Sequence, residues 1–223
     1  MGTPPRPPTA ISRLSERQRV MRGELDALLD STPLATVAFV RDGHPAAMPT
    51  AAARLGDDLV IHGSVGSPWL TELAAGVPVS VCVSALDGVV VARSGFESSF
   101  HYRSAVLFGA FQPVEGADKE NFLQALLETF IPGRFAELRP STRRELAATR
   151  VLRLPIGADN WSLKVADGWP EDDEDDVAAG GWAGVVPLTT TYGVPLRAPD
   201  CDPAIPVPHS VRSMTGELTN RRR

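Results

Sequence analysis

Apolar and polar positions alternate with period two through much of the first 165 residues, the pattern of strands with one buried face. Leu34–Val40 (LATVAFV) predicts a strand, Asp42-Gly43 a turn, and Ala46–Ala53 a second strand that completes a hairpin. Asp58–His62 is a third strand. Val77–Leu86 and Val89–Arg93 follow, read as a second hairpin about Asp87-Gly88. Tyr102–Val114 reads as one long strand, and Val151–Ile156 and Trp161–Val165 end the series.

A helical period takes over in four places. Ser15–Asp30 carries a Ser15/Gln18 capping pair ahead of an apolar stripe at Met21, Leu25, Leu28 and Leu29. A short helix is predicted after Ser67, with Pro68 at its first position and Gly76 as its stop. Asp118–Ile131 places Phe122, Leu126 and Phe130 on one face, and Thr142/Glu145 is a capping box for a helix to Ala148. Strands joined mostly by tight turns imply antiparallel pairing, hence a mainly β fold with peripheral helices around a closed or nearly closed barrel.

Composition adds the domain plan. Residues 1–12 are a Pro-rich lead expected to be disordered, and 13–190 form one domain with an acidic loop at 167–181 that contains EDDEDD. Residues 191–223 are an extended Pro-rich tail whose last 25 or so positions are expected to be poorly ordered. A net charge of −5 gives no general attraction to nucleic acid or anionic lipid, and the closing Arg221–Arg223 is too short for a nucleic-acid arm. No apolar run approaches the roughly 20 residues of a membrane span, and Met1–Pro8 lacks the core of a signal peptide. A cytoplasmic protein is the expectation.

Cys82 and Cys201, with His44, His62, His101 and His209, fall in no metal-ligand spacing, so no metal site is assigned. Cys82, inside VSVCVS, reads as a small buried thiol. His62–Trp69 (HGSVGSPW) combines two glycines, Ser64, Ser67 and a helix start, a plausible phosphate cradle. Arg93 and Arg103 flank a Ser-rich loop; each taken singly reads as an ion-pair partner for the many acids. Lys164 reads as an outward lysine on a barrel strand, and Trp182 opens an apolar patch stranded beyond the acidic loop. No GxSxG or poised carboxylate pair points to a hydrolase.

In order, HPAAMPT (44–50), LVIHGS (59–64), PVSVCVSALDGVVVARSGF (78–96) and YRSAVLFGAFQPV (102–114) resemble the pyridoxamine 5′-phosphate oxidase-like, FMN-binding split-barrel family. PGR (132–134), ELAATRVLRLPI (145–156), SLKV (162–165) and WAGVVPL (182–188) extend the resemblance toward flavin-nucleotide-binding proteins related to nitroimidazole-resistance proteins. It implies a six-stranded antiparallel split barrel that forms a homodimer with two FMN sites at the interface. By the same resemblance His62, Gly63, Ser64 and Ser67 hold the phosphate, and the strand bearing Pro49 and Thr50 passes along the flavin ring. Arg103 and Ser104 approach the flavin from the second subunit, and Lys164 and Trp182 lie close to the site.

Two positions depart from that branch. Pro68 stands where it carries a basic residue, which removes one charge-assisted phosphate contact. Phe96-Glu97-Ser98-Ser99 replaces a His-rich sequence. The implied activity is an FMN-dependent oxidoreductase moving a hydride or electrons between a reduced nicotinamide-type donor and a small organic acceptor. No catalytic acid or base is assigned, though His101 and Tyr102 are the best candidates for a proton donor. The alternative is a binding or carrier protein for flavin, deazaflavin or haem without turnover. Pyridoxamine 5′-phosphate oxidation is remote, because Trp182 has no flanking arginines to hold that substrate.

Overall fold

The computed structural model of the protein describes residues 8–217. Ten strands run in chain order: β1 (Gln18–Arg19), β2 (Leu34–Arg41), β3 (His44–Leu55), β4 (Asp58–Ser64), β5 (Pro78–Val91), β6 (Ser99–Ala110), β7 (Gln112–Val114), β8 (Thr149–Pro155), β9 (Trp161–Ala166) and β10 (Gly184–Pro187). Six α-helices accompany them: α1 (Arg22–Ser31), α2 (Pro68–Ala74), α3 (Ala117–Phe130), α4 (Arg143–Ala148), α5 (Glu174–Ala179) and α6 (His209–Glu217). No described helix is long and apolar enough to cross a membrane. The Pro-rich lead before residue 8 and the closing Arg221–Arg223 lie outside the described residues.

The two Asp-Gly pairs read as hairpin turns part company. Asp42 and Gly43 both take positive φ, 50° and 76°, as a two-residue turn between twisted antiparallel strands requires, and β2 pairs with β3 from Arg41–His44 to Leu34–Ala51. Gly88 has no positive φ, and Asp87-Gly88 is a bulge within the single strand β5. The register against β6 slips between Leu86 and Gly88, and β5 then continues to Val90 opposite Ser99. Gly88 is needed there because β10 crosses closely: a Cβ would sit 2.9 Å from the Val186 carbonyl oxygen.

Three other expectations shift. The predicted Ser15–Asp30 helix starts at Arg22, because the Gln18 side chain bonds the backbone of Ile11 and Thr9 while its backbone pairs with Lys164. Cys82 is exposed, since Val81 and Val83 take the inward positions on either side of it. The C-terminal segment is not extended throughout: α6 forms, and Ser210 is buried with its hydroxyl on Glu137. The Thr142/Glu145 capping box is present, with both of its hydrogen bonds.

The sheet is antiparallel and curls as a split half-barrel. Nine strands form one hydrogen-bonded path, β1-β9-β6-β5-β2-β3-β4-β8-β7, and β10 adds to β5. The resemblance's count of six is corrected: seven strands of six residues or more carry the sheet, and β1, β7 and β10, two to four residues long, are too short to leave a period-two signature. Inside the curl, Val37, Val81, Leu107, Leu163 and Leu154 meet Leu25 and Leu28 of α1 and Leu70 and Leu73 of α2. Each such side chain contributes roughly 1.5–3 kcal/mol on burial. On the outer face, Ala53, Val60, Val151 and Val114 are covered by Leu126, Phe122 and Phe130 of α3.

Candidate functional site

The Gly63–Ser67 turn is held largely by itself. The Ser67 amide donates to the Ser64 carbonyl at 3.0 Å, the Gly66 amide to Ser64 Oγ at 3.2 Å, and the Val65 amide to the Ala148 carbonyl at 3.0 Å. Three amides of the expected cradle are therefore already used. Gly63 packs closely on α2, where a Cβ would lie 2.6 Å from the end of the Leu70 side chain. Ser67 occupies the cap position of α2 but its hydroxyl makes no capping bond. It remains available to a ligand.

The positive charge at this turn comes from another strand. β4 pairs with β8 so that Gly63 lies opposite Arg150, and Arg150 Nη1 donates to Thr71 Oγ1 on α2 at 2.7 Å. Arg150 thus brings a guanidinium to the turn where Pro68 offers no charge. Sequence reasoning missed it because 82 positions separate Pro68 from Arg150; the signal available was an arginine within a strand-like ATRVLRLP.

His62 stands apart from the other histidines. It is half-buried, its Nδ1 is buried without a hydrogen-bond partner, and burial pushes its pKa below the usual imidazole value. The ring is therefore neutral at pH 7, the form that binds a metal ion. It projects on the same side of β4 as Val60, the face covered by α3. His101 is committed, with Nε2 at 2.7 Å from the Gly168 carbonyl; His209 Nδ1 lies 3.3 Å from Ser213 Oγ; His44 sits exposed beside the Asp42-Gly43 turn.

The remaining predicted residues divide between the two faces of the sheet. Thr50 points inward beside buried Ala35, whereas Pro49 points outward in a cross-strand row with Thr36, Cys82 and Val106. The β3–β4 ladder ends at Ala52–Ile61, and beyond it His62, Gly63 and Ser64 pair only with β8. Arg103 shares the inward parity of Ala105 and Leu107. Its guanidinium grips Asp87 through two bonds, 2.8 and 2.9 Å, and reaches Ser31 Oγ at 3.3 Å. Ser104 faces outward between Ser84 and Lys164, and Lys164 Nζ donates to the Arg13 carbonyl at 3.2 Å.

Arg103 and Ser104 consequently serve opposite faces. Ser104 lies three strands from Pro49, about 15 Å away at the usual strand spacing. The Gly/Ser turn and His62 are contiguous at the end of β4; Pro49 lies on β3 beyond the last β3–β4 pair, and Ser104 and Lys164 lie on β6 and β9. Two small cavities measure about 210 Å³, beside Val114, Phe122 and Arg153, and about 180 Å³, beside Gln18 and Trp161. Both are smaller than the roughly 300 Å³ at which ligand pockets begin, and neither includes His62. Among the described residues no cluster of three His, Cys, Asp or Glu is poised for a metal ion.

Residues 21–160 match the family model described as pyridoxamine 5′-phosphate oxidase. The structure of the FAD and haem binding protein from Mycobacterium smegmatis is 64% identical, covering 91% of this chain and 98% of that one with a TM-score of 0.88. The flavocytochrome Anf3 from Azotobacter vinelandii is 34% identical over 92% of this chain and 95% of its own, with a TM-score of 0.85. A protein named for 5-nitroimidazole antibiotic resistance, from Bacteroides thetaiotaomicron, is 15% identical over 66% of this chain and 86% of its own; its TM-score of 0.56 reports the fold alone. No protein of curated function matches. Coverage of 91% leaves about 20 residues unmatched, so the first of these similarities runs through most of the segment beyond Asn160, where the family model stops.

Proposed function

This chain belongs to the pyridoxamine 5′-phosphate oxidase-like split-barrel family, and from that premise we propose that it is a homodimeric redox protein that binds a flavin and a haem. The observation that carries the haem half is His62. An unpartnered buried imidazole nitrogen costs about 1–3 kcal/mol unless something else satisfies it. A neutral ring on β4, on the side of the strand that carries Val60, would offer its unpartnered Nδ1 to the metal ion of a haem. Similarity to a flavocytochrome and to an FAD and haem binding protein, each over more than nine-tenths of this chain, supports the same reading.

The flavin half rests on the Gly63–Ser67 turn. Because the turn's amides are largely used internally, Ser67 Oγ and the Arg150 guanidinium bind the flavin's phosphate, and Thr71 orients Arg150. FAD is the flavin we favour over the FMN that the sequence resemblance implies, given the 64% identical relative. When bound, flavin and haem supply electron transfer. The chain's own residues would hold the phosphate and present a neutral imidazole.

A carrier or sensor without turnover is the second reading, favoured by one observation: His101, a candidate proton donor, is committed to the Gly168 carbonyl. The absorption spectrum of the purified protein tests the proposal, followed by chromatography of the cofactor released on heating. A Soret band together with free FAD is the expected result. FMN alone would return the reading to a simple flavin reductase, and a colourless protein that takes up neither added flavin nor haemin would end it.

A further inference from the structure

Charge is sorted along this chain. Residues 134–153 hold six arginines against two glutamates, in a chain whose net charge is −5. Residues 167–181 hold seven acids and no lysine or arginine. The fold keeps the two regions on different strands. The acidic stretch is fastened just past β5, where the Arg93 amide and Nη1 hold Asp172 at 2.7 and 2.9 Å. The basic segment runs through α4 into β8, and β2, β3 and β4 stand between β5 and β8 in the sheet path.

The carboxylates of the basic corner are already used. Glu128 accepts the Gly133 and Phe135 amides at 2.7 and 2.8 Å, Glu137 takes Arg134 and Ser210, and Glu145 takes Arg139 and the Thr142 amide. Among the described residues, the exposed Arg143 and Arg144 of α4 have no carboxylate partner, and Arg150 on β8 has only the Thr71 hydroxyl. A fourth unmatched guanidinium joins them. Ser210 docks α6 on Glu137, which brings the exposed Arg212 to the same corner.

This corner adjoins the Gly63–Ser67 turn. The Val65 amide donates to the carbonyl of Ala148, the last residue of α4, at 3.0 Å, and Ser64 pairs with Thr149. Arg144 stands one helical turn, about 6 Å, before Ala148. Neither of the two small cavities is lined by any of the four arginines. Guanidinium groups spread over an open surface suit a broad acidic face better than a small anion, which needs a pocket.

We propose that this corner docks a small acidic electron-carrier protein, which delivers electrons one at a time to the cofactors. The electron delivery rests on the flavin and haem reading above; the docking of an acidic protein does not. Charge selects the class of partner. A membrane or a nucleic-acid duplex presents its negative charge over a wide span, and would meet the acidic stretch and the net −5 as well. A small protein touches the corner alone. Electron-transfer encounters use charge-steered contacts of under about 1,200 Å² in total. In the transfer the carrier's reduced iron–sulfur cluster loses one electron and haem iron(III) gains it to become iron(II). No bond forms or breaks, and no proton is needed.

The probe is a plant-type [2Fe–2S] ferredoxin, set against the holoprotein and the triple variant Arg143→Glu, Arg144→Glu, Arg212→Glu. All three positions are exposed, and circular dichroism checks that the variant is folded; Arg144→Glu alone repeats the test at smaller amplitude. Biolayer interferometry should show ferredoxin binding that weakens steeply as salt rises and is lost in the variant. In stopped flow at low salt, haem reduction by reduced ferredoxin should slow by roughly tenfold or more, while reduction by dithionite is unchanged. Wild-type binding that is absent, insensitive to salt or unaltered in the variant overturns the docking surface. So does loss of flavin from the variant, which would put the arginines in the flavin site, or its dissociation to monomers, which would make the corner a contact between copies. Tighter arginine-dependent binding of a DNA duplex or of phosphatidylserine vesicles overturns the choice of a protein partner. Intact docking with no electron passed to a haem that dithionite reduces overturns the delivery alone. A protein that takes up neither flavin nor haemin overturns the cofactor reading, and leaves the surface decided by the interferometry.

Discussion

Arg150 on β8 donates to Thr71 Oγ1 on α2 at 2.7 Å, which fixes a guanidinium beside the Gly63–Ser67 turn. The contact joins β8, the strand between β4 and β7, to a helix that packs inside the curl, and it sets both position and charge at the turn.

Arg150→Ala should weaken flavin retention by the worth of one charge-assisted contact, about 1.5–3 kcal/mol, or roughly 10- to 100-fold in Kd. Fluorescence titration of the flavin-free protein measures this. Thr71→Val should give a smaller loss of the same kind, since it leaves the charge and removes only its orientation. An unchanged Kd in Arg150→Ala would remove the residue from the site.

His62→Ala should abolish haem retention, read as loss of the Soret band, while flavin fluorescence on heat release persists. The cofactor-free protein offers a second readout. Burial lowers the folded-state pKa of His62 below its unfolded value of about 6.5, so the unfolded chain takes up the proton first. That contribution to stability is complete above pH 6.5 and declines as the pH falls toward the folded pKa. His62→Gln should flatten this part of the stability profile, and an identical slope in both proteins would assign it elsewhere.

Gly88→Ala should detach β10, because the new Cβ would lie 2.9 Å from the Val186 carbonyl oxygen and 3.3 Å from Pro187 Cα, both backbone atoms. Overpacking of this kind costs about 1–3 kcal/mol. Hydrogen exchange at the amides of 184–186 should accelerate, and Trp182, whose ring lies 3.0 Å from where a Cβ on Gly184 would be, should change its emission. Protection unchanged at those amides would show that the bulge can absorb a methyl group.

Ser210 donates its hydroxyl to Glu137 Oε2 at 2.5 Å and its amide to Oε1 at 3.1 Å. These bonds, with Arg134, hold the Glu137 pKa down at about 2. A lowered carboxylate pKa stabilises the fold above the unfolded value of 4.5 and loses that effect as pH falls from there to about 2. The docking of α6 should therefore loosen over that range. Ser210→Ala should loosen it already at pH 7, seen as faster proteolysis within 209–217 at a nearly constant Tm. Equal cleavage rates in the two proteins would argue that other contacts hold the helix.

Local chemistry made much of this protein legible in its sequence. The apolar stripe of Leu25, Leu28 and Leu29, the Asp42-Gly43 turn, the Pro68 helix start and the Thr142/Glu145 box each depend on residues within a few positions of one another, and each formed. The ordered motifs likewise sufficed to place the family. Tertiary structure decided what distant segments do to each other. Asp87-Gly88 reads like the first turn, but β10 returns to β5 and turns the pair into a bulge, and Asp87 then serves Arg103. Arg103 and Ser104 are adjacent in sequence, yet strand alternation sends them to opposite faces. Arg150 acquires its role only because β8 pairs with β4. Spacing along the chain fixes periodicity and turns; which face a strand shows to which neighbour depends on pairing across scores of residues, and that pairing is settled only when the sheet closes.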